Sequence, residues 1–394
     1  MRLLLITENY PPDRGGMSES CDRIVRGLRR EGVGVDVVHF DRKAARPSFR
    51  GEHLRWPLSN DAAHTINGLW NQMRQLLDLG RTTHVVAFGG TLPLLAAPAF
   101  AAWINRPLVA LLRGNELDAG LFDPRRRPIL DDAIRRSRAV CTVTTEQAEK
   151  VRSLYLPIGP IGPMSPIVIT IPNGIDLDLW RATPADHQRA ADWRAANVEP
   201  GRRVLGFFGH LKAKKGVPFF LDVLRRSGDA GRFHLLLVGE ADQELQALLD
   251  EHPELPRTQV ASVDRFDLLP YHLASDYVVL PSHYDGFPNV LIEAMALARP
   301  VIASTVGGMR DVLTDGENAF LFAPGDEHEC RRAIERAALA DTPLREALGR
   351  RAEATAHERC NARDEAHRYI DVFEAISREE TTCVTSSSPS PHWP

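Results

Sequence analysis

The 394-residue chain has no run of about 18 apolar residues, so no membrane-spanning helix is expected. Its five cysteines (Cys21, Cys141, Cys330, Cys360 and Cys383) are scattered, odd in number and form no C-x-x-C pair. A disulfide framework is thereby excluded, and a reducing, cytoplasmic setting fits. There is no H-E-x-x-H, no G-x-S-x-G and no Walker loop, which argues against the enzyme classes built on those motifs. Basic residues are not interleaved with aromatics, so nucleic acid is not an expected partner. The opening Met1-Arg2-Leu3-Leu4-Leu5-Ile6-Thr7 is apolar but short. It enters Glu8-Asn9-Tyr10-Pro11-Pro12 without a small-residue cleavage site and reads as a first β-strand rather than a signal peptide.

What is present is an ordinary soluble composition, 43% apolar and 25% charged, at a length that suggests two domains. Residues 1–170 carry 23 Lys and Arg against 17 Asp and Glu; the remainder carries 25 against 35. A basic half can lean toward an anionic surface or acceptor, although solvated helix faces are the plainer account.

Apolar, β-rich runs alternate with helical patterns. Strands are expected at Arg2–Thr7, Gly34–Phe40, Thr83–Phe88, Leu108–Leu112, Ala139–Val143 and Ile167–Ile171. A second series follows at Arg203–Phe208, His234–Val238, Thr258–Ala261, Tyr277–Leu280 and Val301–Ala303. Continuous apolar strands separated by helices predict parallel sheets covered on both faces. The expected fold is therefore α/β, with two Rossmann-like, doubly wound domains facing across a cleft. Boundaries are set at 1–172 for the N-terminal domain, 173–200 for a linker and 201–358 for the C-terminal domain. A C-terminal helix at 359–380 is expected to pack back toward the N-terminal domain, before a Ser/Thr/Pro-rich, disordered tail at 381–394. Pro157–Pro163 reads as an excursion before the last strand of domain one.

In doubly wound sheets ligands sit at the carboxyl ends of strands, and four segments fall there. After Leu280 come Asp285-Gly286-Phe287-Pro288-Asn289-Val290 and Glu293. The spacing fits either a capped helix with a surface Glu or two carboxylates aimed at hydroxyls beside a helix N-terminus. Gly209-His210-Leu211-Lys212-Ala213-Lys214-Lys215-Gly216 gathers positive charge where a diphosphate could lie; an exposed basic turn is the alternative. Gly15-Gly16 follows the first strand and lets backbone approach a ligand, but it is not a dinucleotide fingerprint. Arg113-Gly114-Asn115-Glu116 ends another apolar strand, with helix capping as the competing account. Asp176-x-Asp178 lies in the linker, and His328-Glu329-Cys330 and His357–Cys360 lie on polar helical faces, so no metal site is assigned.

These residues resemble the retaining glycosyltransferases of family 4, which have the GT-B fold. The resemblance runs from Ile6 to about Phe373 and is strongest between Val204 and Pro324. The family's E-x7-E element matches Asp285 to Glu293, with Asp replacing the first Glu. The resemblance implies that Asp285 holds the transferred sugar and Glu293 the ribose. The G-R-L-x-x-x-K-G phosphate loop matches Gly209 to Gly216, with His210 in place of Arg and Lys215 at the lysine position. Arg113 stands where the family often has a His near the sugar. N-G-[IV]-D matches Asn173 to Asp176, and G-G-x-x-E matches Gly307 to Asp311, again with Asp for Glu.

The family thus implies transfer of a sugar, with retention, from a nucleoside diphosphate sugar to a hydroxyl-bearing glycan, glycolipid or small molecule. The Gly286–Asn289 stretch favours a UDP-sugar. Lys215, Arg113 and Asp285 are the expected catalytic residues. Gly16, Gly209, His210, Gly286, Phe287, Pro288, Asn289, Val290 and Glu293 are expected to bind the donor, and Gly15, Gly16 and Glu116 to form an acceptor-side or phosphate loop. The implied mechanism uses no metal and no cofactor beyond the sugar nucleotide as co-substrate. A nucleotide-sugar epimerase or hydrolase, or a non-catalytic sugar-nucleotide-binding protein, would fit the same fold. Arg23, Arg26, Arg29 and Arg30 suggest a peripheral contact with the inner membrane face.

Overall fold

The computed structural model describes residues 1–13, 15–114, 116–156 and 166–386, with side chains at all of these except 265, 266 and 380–386. The chain divides into unit 1, Met1–Ile171 with Arg363–Pro394, and unit 2, Pro172–Ala362.

In unit 1 the chain runs β1 (Arg2–Thr7), α1 (Gly16–Arg30), β2 (Gly34–Asp41), β3 (Ser48–Arg50), β4 (His53–Pro57), α2 (Ala62–Leu76) and β5 (His84–Phe88). It continues with α3 (Thr91–Trp103), β6 (Leu108–Leu112), α4 (Glu116–Phe122), α5 (Arg127–Arg136), β7 (Ser137–Thr142), α6 (Thr145–Tyr155) and β8 (Ile167–Thr170). The strands order as β3-β4-β2-β1-β5-β6-β7-β8. All pairs are parallel except the β3–β4 hairpin. Central strands such as Leu108–Leu112 are buried at every residue, because helices cover both faces. Alternation therefore disappears, and a plain apolar run is the readable signal. The β3–β4 hairpin lacks such a run, turns at Gly51 with φ of 59°, and was not expected from sequence.

Unit 2 contains α7 (Pro184–Asn197), β9 (Arg203–Phe208), α8 (Val217–Ser227), β10 (Phe233–Val238), α9 (Gln243–Glu251), β11 (Arg257–Val260), α10 (Arg265–Ala274) and β12 (Tyr277–Leu280). Then come α11 (Asn289–Ala296), β13 (Val301–Ser304), α12 (Gly308–Val312), β14 (Ala319–Phe322), α13 (Glu327–Leu339) and α14 (Thr342–Arg359). Its sheet orders as β11-β10-β9-β12-β13-β14 and is parallel throughout. Two separate parallel α/β sheets match the fold class expected from sequence.

Two of the sequence boundaries need correction. The segment 173–200 is not a plain linker: α7 occupies half of it, within unit 2. Thr183 and Asp186 form a reciprocal capping box with Pro184 in the first turn, so the helix start is locally encoded. Arg194 then donates to Ala274 O at 2.6 Å and to Asp276 at 2.9 Å, fixing α7 beside α10. Residues 381–386 are not part of a disordered tail, since the backbone of α15 (Ala362–Ser386) remains helical to Ser386. Residues 387–394 and the Pro157–Pro163 excursion lie outside the described residues.

Apart from Ala362, α15 belongs to unit 1. Tyr369, Val372, Phe373 and Ile376 recur at helical spacing and join the core face formed by Leu3, Leu5, Ile24 and Val109. A strip of four such side chains stabilises by roughly 1.5–3 kcal/mol per side chain. The last helix is thus a structural part of the first sheet's covering. Among the described residues, no helix is long and apolar enough to cross a membrane.

Candidate active site

The loop after β9 carries Gly209, His210, Lys212, Lys214 and Lys215. Gly216 ends it at φ of 66°, and a Cβ there would stand 1.9 Å from Pro281 O. Only glycine allows that approach, and it brings the lysine loop against the end of β12. His283 N donates to Lys214 O at 3.1 Å across the same junction. The Lys215 ammonium pairs with the Asp285 carboxylate. Asp285 is 17% exposed and also accepts from Gly286 N at 3.0 Å.

The loop from Asp285 to Asn289 is held from two sides. Gly307 has φ of 49°, and a Cβ on it would meet Asp285 O at 2.1 Å. Gly308 N donates to Gly286 O at 2.7 Å. On the other side the buried Asn173 amide donates to Phe287 O at 2.6 Å. The two sequence motifs Asn173–Asp176 and Gly307–Asp311 therefore act as braces for this loop. Phe287 is 4% exposed and packs on Gly308, so its side chain anchors the loop rather than facing a ligand. α11 starts at Asn289 with no side-chain cap on Pro288, and its dipole favours negative charge at that end.

Glu293 sits within the second turn of α11 and is 16% exposed. His272 Nε2 stands 3.7 Å from its Oε2, beyond hydrogen-bond length. Among the described residues the Glu293 side chain has no hydrogen-bond partner, and its oxygens are not among the fully buried polar atoms, so they stay open to a donor from solvent or a ligand. Thus Lys215, Asp285, the loop Gly286–Val290 and Glu293 come together at the carboxyl end of the second sheet. His210 is less committed: its side chain is 62% exposed and 3.7 Å from Glu240. Gly209, with φ of 95°, packs its carbonyl where a Cβ on Gly239 would stand, at 2.0 Å.

In unit 1, Gly15 has φ of 123° and caps α1, which begins at Gly16. Glu8 follows β1 and accepts from Leu92 N at 2.6 Å. Glu116 accepts from Gly114 N at 2.6 Å, and burial raises its pKa above the usual carboxylate value. Both carboxylates line a pocket of about 290 Å³ with Arg42, Gly90, Thr91, Leu94 and Arg126. Glu8 was not singled out from sequence; its place directly after the first strand was the available signal.

Arg113 requires the main correction. It is expected from the resemblance to be catalytic, but its guanidinium is fully buried within unit 1. It bonds Glu365 at 2.7 Å, Ile171 O at 3.0 Å and the Tyr369 hydroxyl. Burial alone would lower its pKa, yet Tyr369 and Glu365 hold it above the usual value. Its two side-chain partners lie on α15, more than 250 positions along the chain, where local sequence gives no hint. Arg23 also pairs with Glu365, Arg26 with Asp22 and Arg29 with Glu52. Arg23, Arg26 and Arg29 are thus paired within unit 1, and the membrane reading loses their support. Asn115 lies outside the described residues. Among the described residues, no group of three or more His, Cys, Asp or Glu is placed to hold a metal ion.

Comparison with known proteins bears on both sheets. A Glycosyltransferase Family 4 model matches residues 14–179, and a Glycosyl transferases group 1 model matches residues 202–339. The chain is 29% identical over 247 residues to a D-inositol 3-phosphate glycosyltransferase of Jonesia denitrificans, spanning 60% of this chain and 56% of that protein. It is 26% identical to the 2-deoxystreptamine glucosyltransferase of Streptomyces kanamyceticus, spanning 62% and 64%. It therefore aligns with less than two thirds of the length of these relatives. Sucrose-phosphate synthase from Thermosynechococcus elongatus superposes with a TM-score of 0.78 at 19% identity, over 96% of this chain and 99% of that one. Anabaena HepE, solved with UDP-glucose, superposes at 0.74 and 17% identity, over 95% and 99%. The superpositions show the GT-B fold, and with a glycosyltransferase family model matched on each sheet this protein belongs to the family 4 glycosyltransferases.

Proposed function

We propose that the protein moves a sugar from a nucleoside diphosphate sugar, UDP-sugar favoured, to a hydroxyl acceptor, with retention at the anomeric carbon and without a metal. The observation that carries this is the placement of the Lys215–Asp285 pair and the largely buried Glu293 on one braced loop and the helix that follows it. In this reading Glu293 accepts from the ribose hydroxyls. Lys215 leaves Asp285 for the diphosphate, which frees Asp285 to accept from hydroxyls of the donor sugar. As the bond from the anomeric carbon to the β-phosphate oxygen breaks, its electron pair stays on that oxygen. Lys215, loop N–H groups and the α11 terminus stabilise the growing charge, a contribution of about 10²–10³ in rate per donor removed. The acceptor oxygen bonds the anomeric carbon on the same face, and its proton passes to the departing phosphate oxygen. The unit 1 pocket beside Glu8 and Glu116 suits a hydroxyl-bearing ring.

A panel of UDP-, GDP- and ADP-sugars, scored by thermal shift and nucleotide release with candidate acceptors, tests the reading. Stabilisation by one donor class and acceptor-dependent release are expected, with activity surviving EDTA. Conversion of the donor without an acceptor would point instead to an epimerase or hydrolase. Binding without turnover would point to a sugar-nucleotide-binding protein. Product NMR reads the anomeric outcome directly, and an inverted product would refute retention.

A further inference from the structure

We propose that His272 is a positioning residue that fixes the Glu293 carboxylate for the ribose of the donor nucleotide. The inference rests on the reading of Glu293 as the ribose-binding acid.

His272 lies on α10 and is wholly buried. Among the described residues, neither ring nitrogen has a hydrogen-bond partner. Buried polar atoms in native structures are nearly always satisfied, and an exception calls for an explanation. The ring itself is tightly held. Phe208, at the end of β9, stacks on one face at 4.0 Å and 8°. Trp180 meets the ring edge-on at 5.7 Å and 82°. These two contacts fix the imidazole plane, so Nε2 has a defined direction. It stands 3.7 Å from Glu293 Oε2.

The unmet need lies on the imidazole, whose nitrogens are buried without a partner among the described residues, while the carboxylate beside it is 16% exposed. A shift of about half an ångström would close an ordinary N–H to oxygen bond. Contacts of this kind are often long without ligand and shorten when it binds. With Nε2–H donating to one oxygen, the other oxygen remains for the ribose hydroxyls. A carboxylate held in one orientation also loses less rotamer freedom on binding. If the imidazole served only to pack between Phe208 and Trp180, an apolar ring would serve as well.

The test measures, by calorimetry, the Kd of UDP and of its 2′,3′-dideoxy counterpart. If GDP or ADP is the preferred diphosphate, that pair is used. The wild type is expected to favour the ribose form, and E293Q to lose most of that preference. H272F keeps an aromatic plate against Phe208 but removes Nε2. The preference is expected to fall by about ten-fold, as for loss of a hydrogen bond to a charged group. H272Q, whose amide can donate near the same place, should recover part of it. The double variant H272F/E293Q should lose no more than E293Q. A wild-type preference in H272F, with E293Q impaired, overturns the inference and leaves the ribose reading standing. No preference in the wild type removes the ribose reading and the inference with it. Should H272F not fold, H272L is read against the same two outcomes.

Discussion

Replacing Glu365 by Ala tests whether Arg113 is structural. The Arg113 side chain has no exposure, and Glu365 has 2%. The substitution would strand a buried guanidinium and remove the partner of Arg23 as well. Breaking a buried pair by deleting one member costs about 3–5 kcal/mol. A whole domain is stable by only about 5–15 kcal/mol, so the effect is a large share of unit 1. With a urea slope of about 2 kcal/mol per molar, the midpoint should fall by roughly 2 M. Replacing both partners by apolar residues, as in R113M/E365L, removes the stranded charge. Such replacements are often neutral or better. Urea titration of the three proteins, with glycosyl transfer measured alongside, separates the possibilities. E365A should be strongly destabilised, while the double variant should recover both stability and turnover. A double variant that folds well but turns over 10²-fold more slowly would restore a catalytic role for Arg113. An E365A midpoint within about 0.3 M of wild type would refute the stability argument.

Lys215→Ala should reduce turnover by at least about ten-fold with unfolding unchanged, and wild-type turnover would defeat the phosphate assignment. Asp285→Glu restores the residue type of the family motif; loss of activity would show that the shorter acid suits this donor, whereas unchanged donor choice and turnover would show that it does not. His84 is buried, and burial lowers its pKa from 6.5 to about 4. Between those values the unfolded chain binds more protons than the folded one, so this contribution falls as pH drops from 6.5 toward 4. The loss approaches about 1.4 kcal/mol per pH unit, and His84→Gln should remove about one proton from the measured slope of stability against pH.

The sequence by itself determined the two parallel sheets and the loops at their carboxyl ends. Buried parallel strands such as Leu108–Leu112 must be apolar at every position, and that signal is local. The glycines at Gly216 and Gly307 were equally legible, because left-handed backbone and close approach leave few other choices. The capping box at Thr183 was readable too, yet it went unread within a stretch lacking strand pattern. Three features had no local signal at all. The role of Arg113 depends on Glu365 and Tyr369, brought to it only when α15 returns to unit 1. The Asn173 amide braces Phe287, 114 positions away. His272 looks like any helical histidine until Phe208, Trp180 and Glu293 close around it. Periodicity and turn chemistry are properties of neighbours along the chain, whereas the partner of a buried charge is chosen by the fold. Sequence therefore marked the loops at the carboxyl ends of the strands, and tertiary structure decided which charged residues there are held by partners distant in the chain.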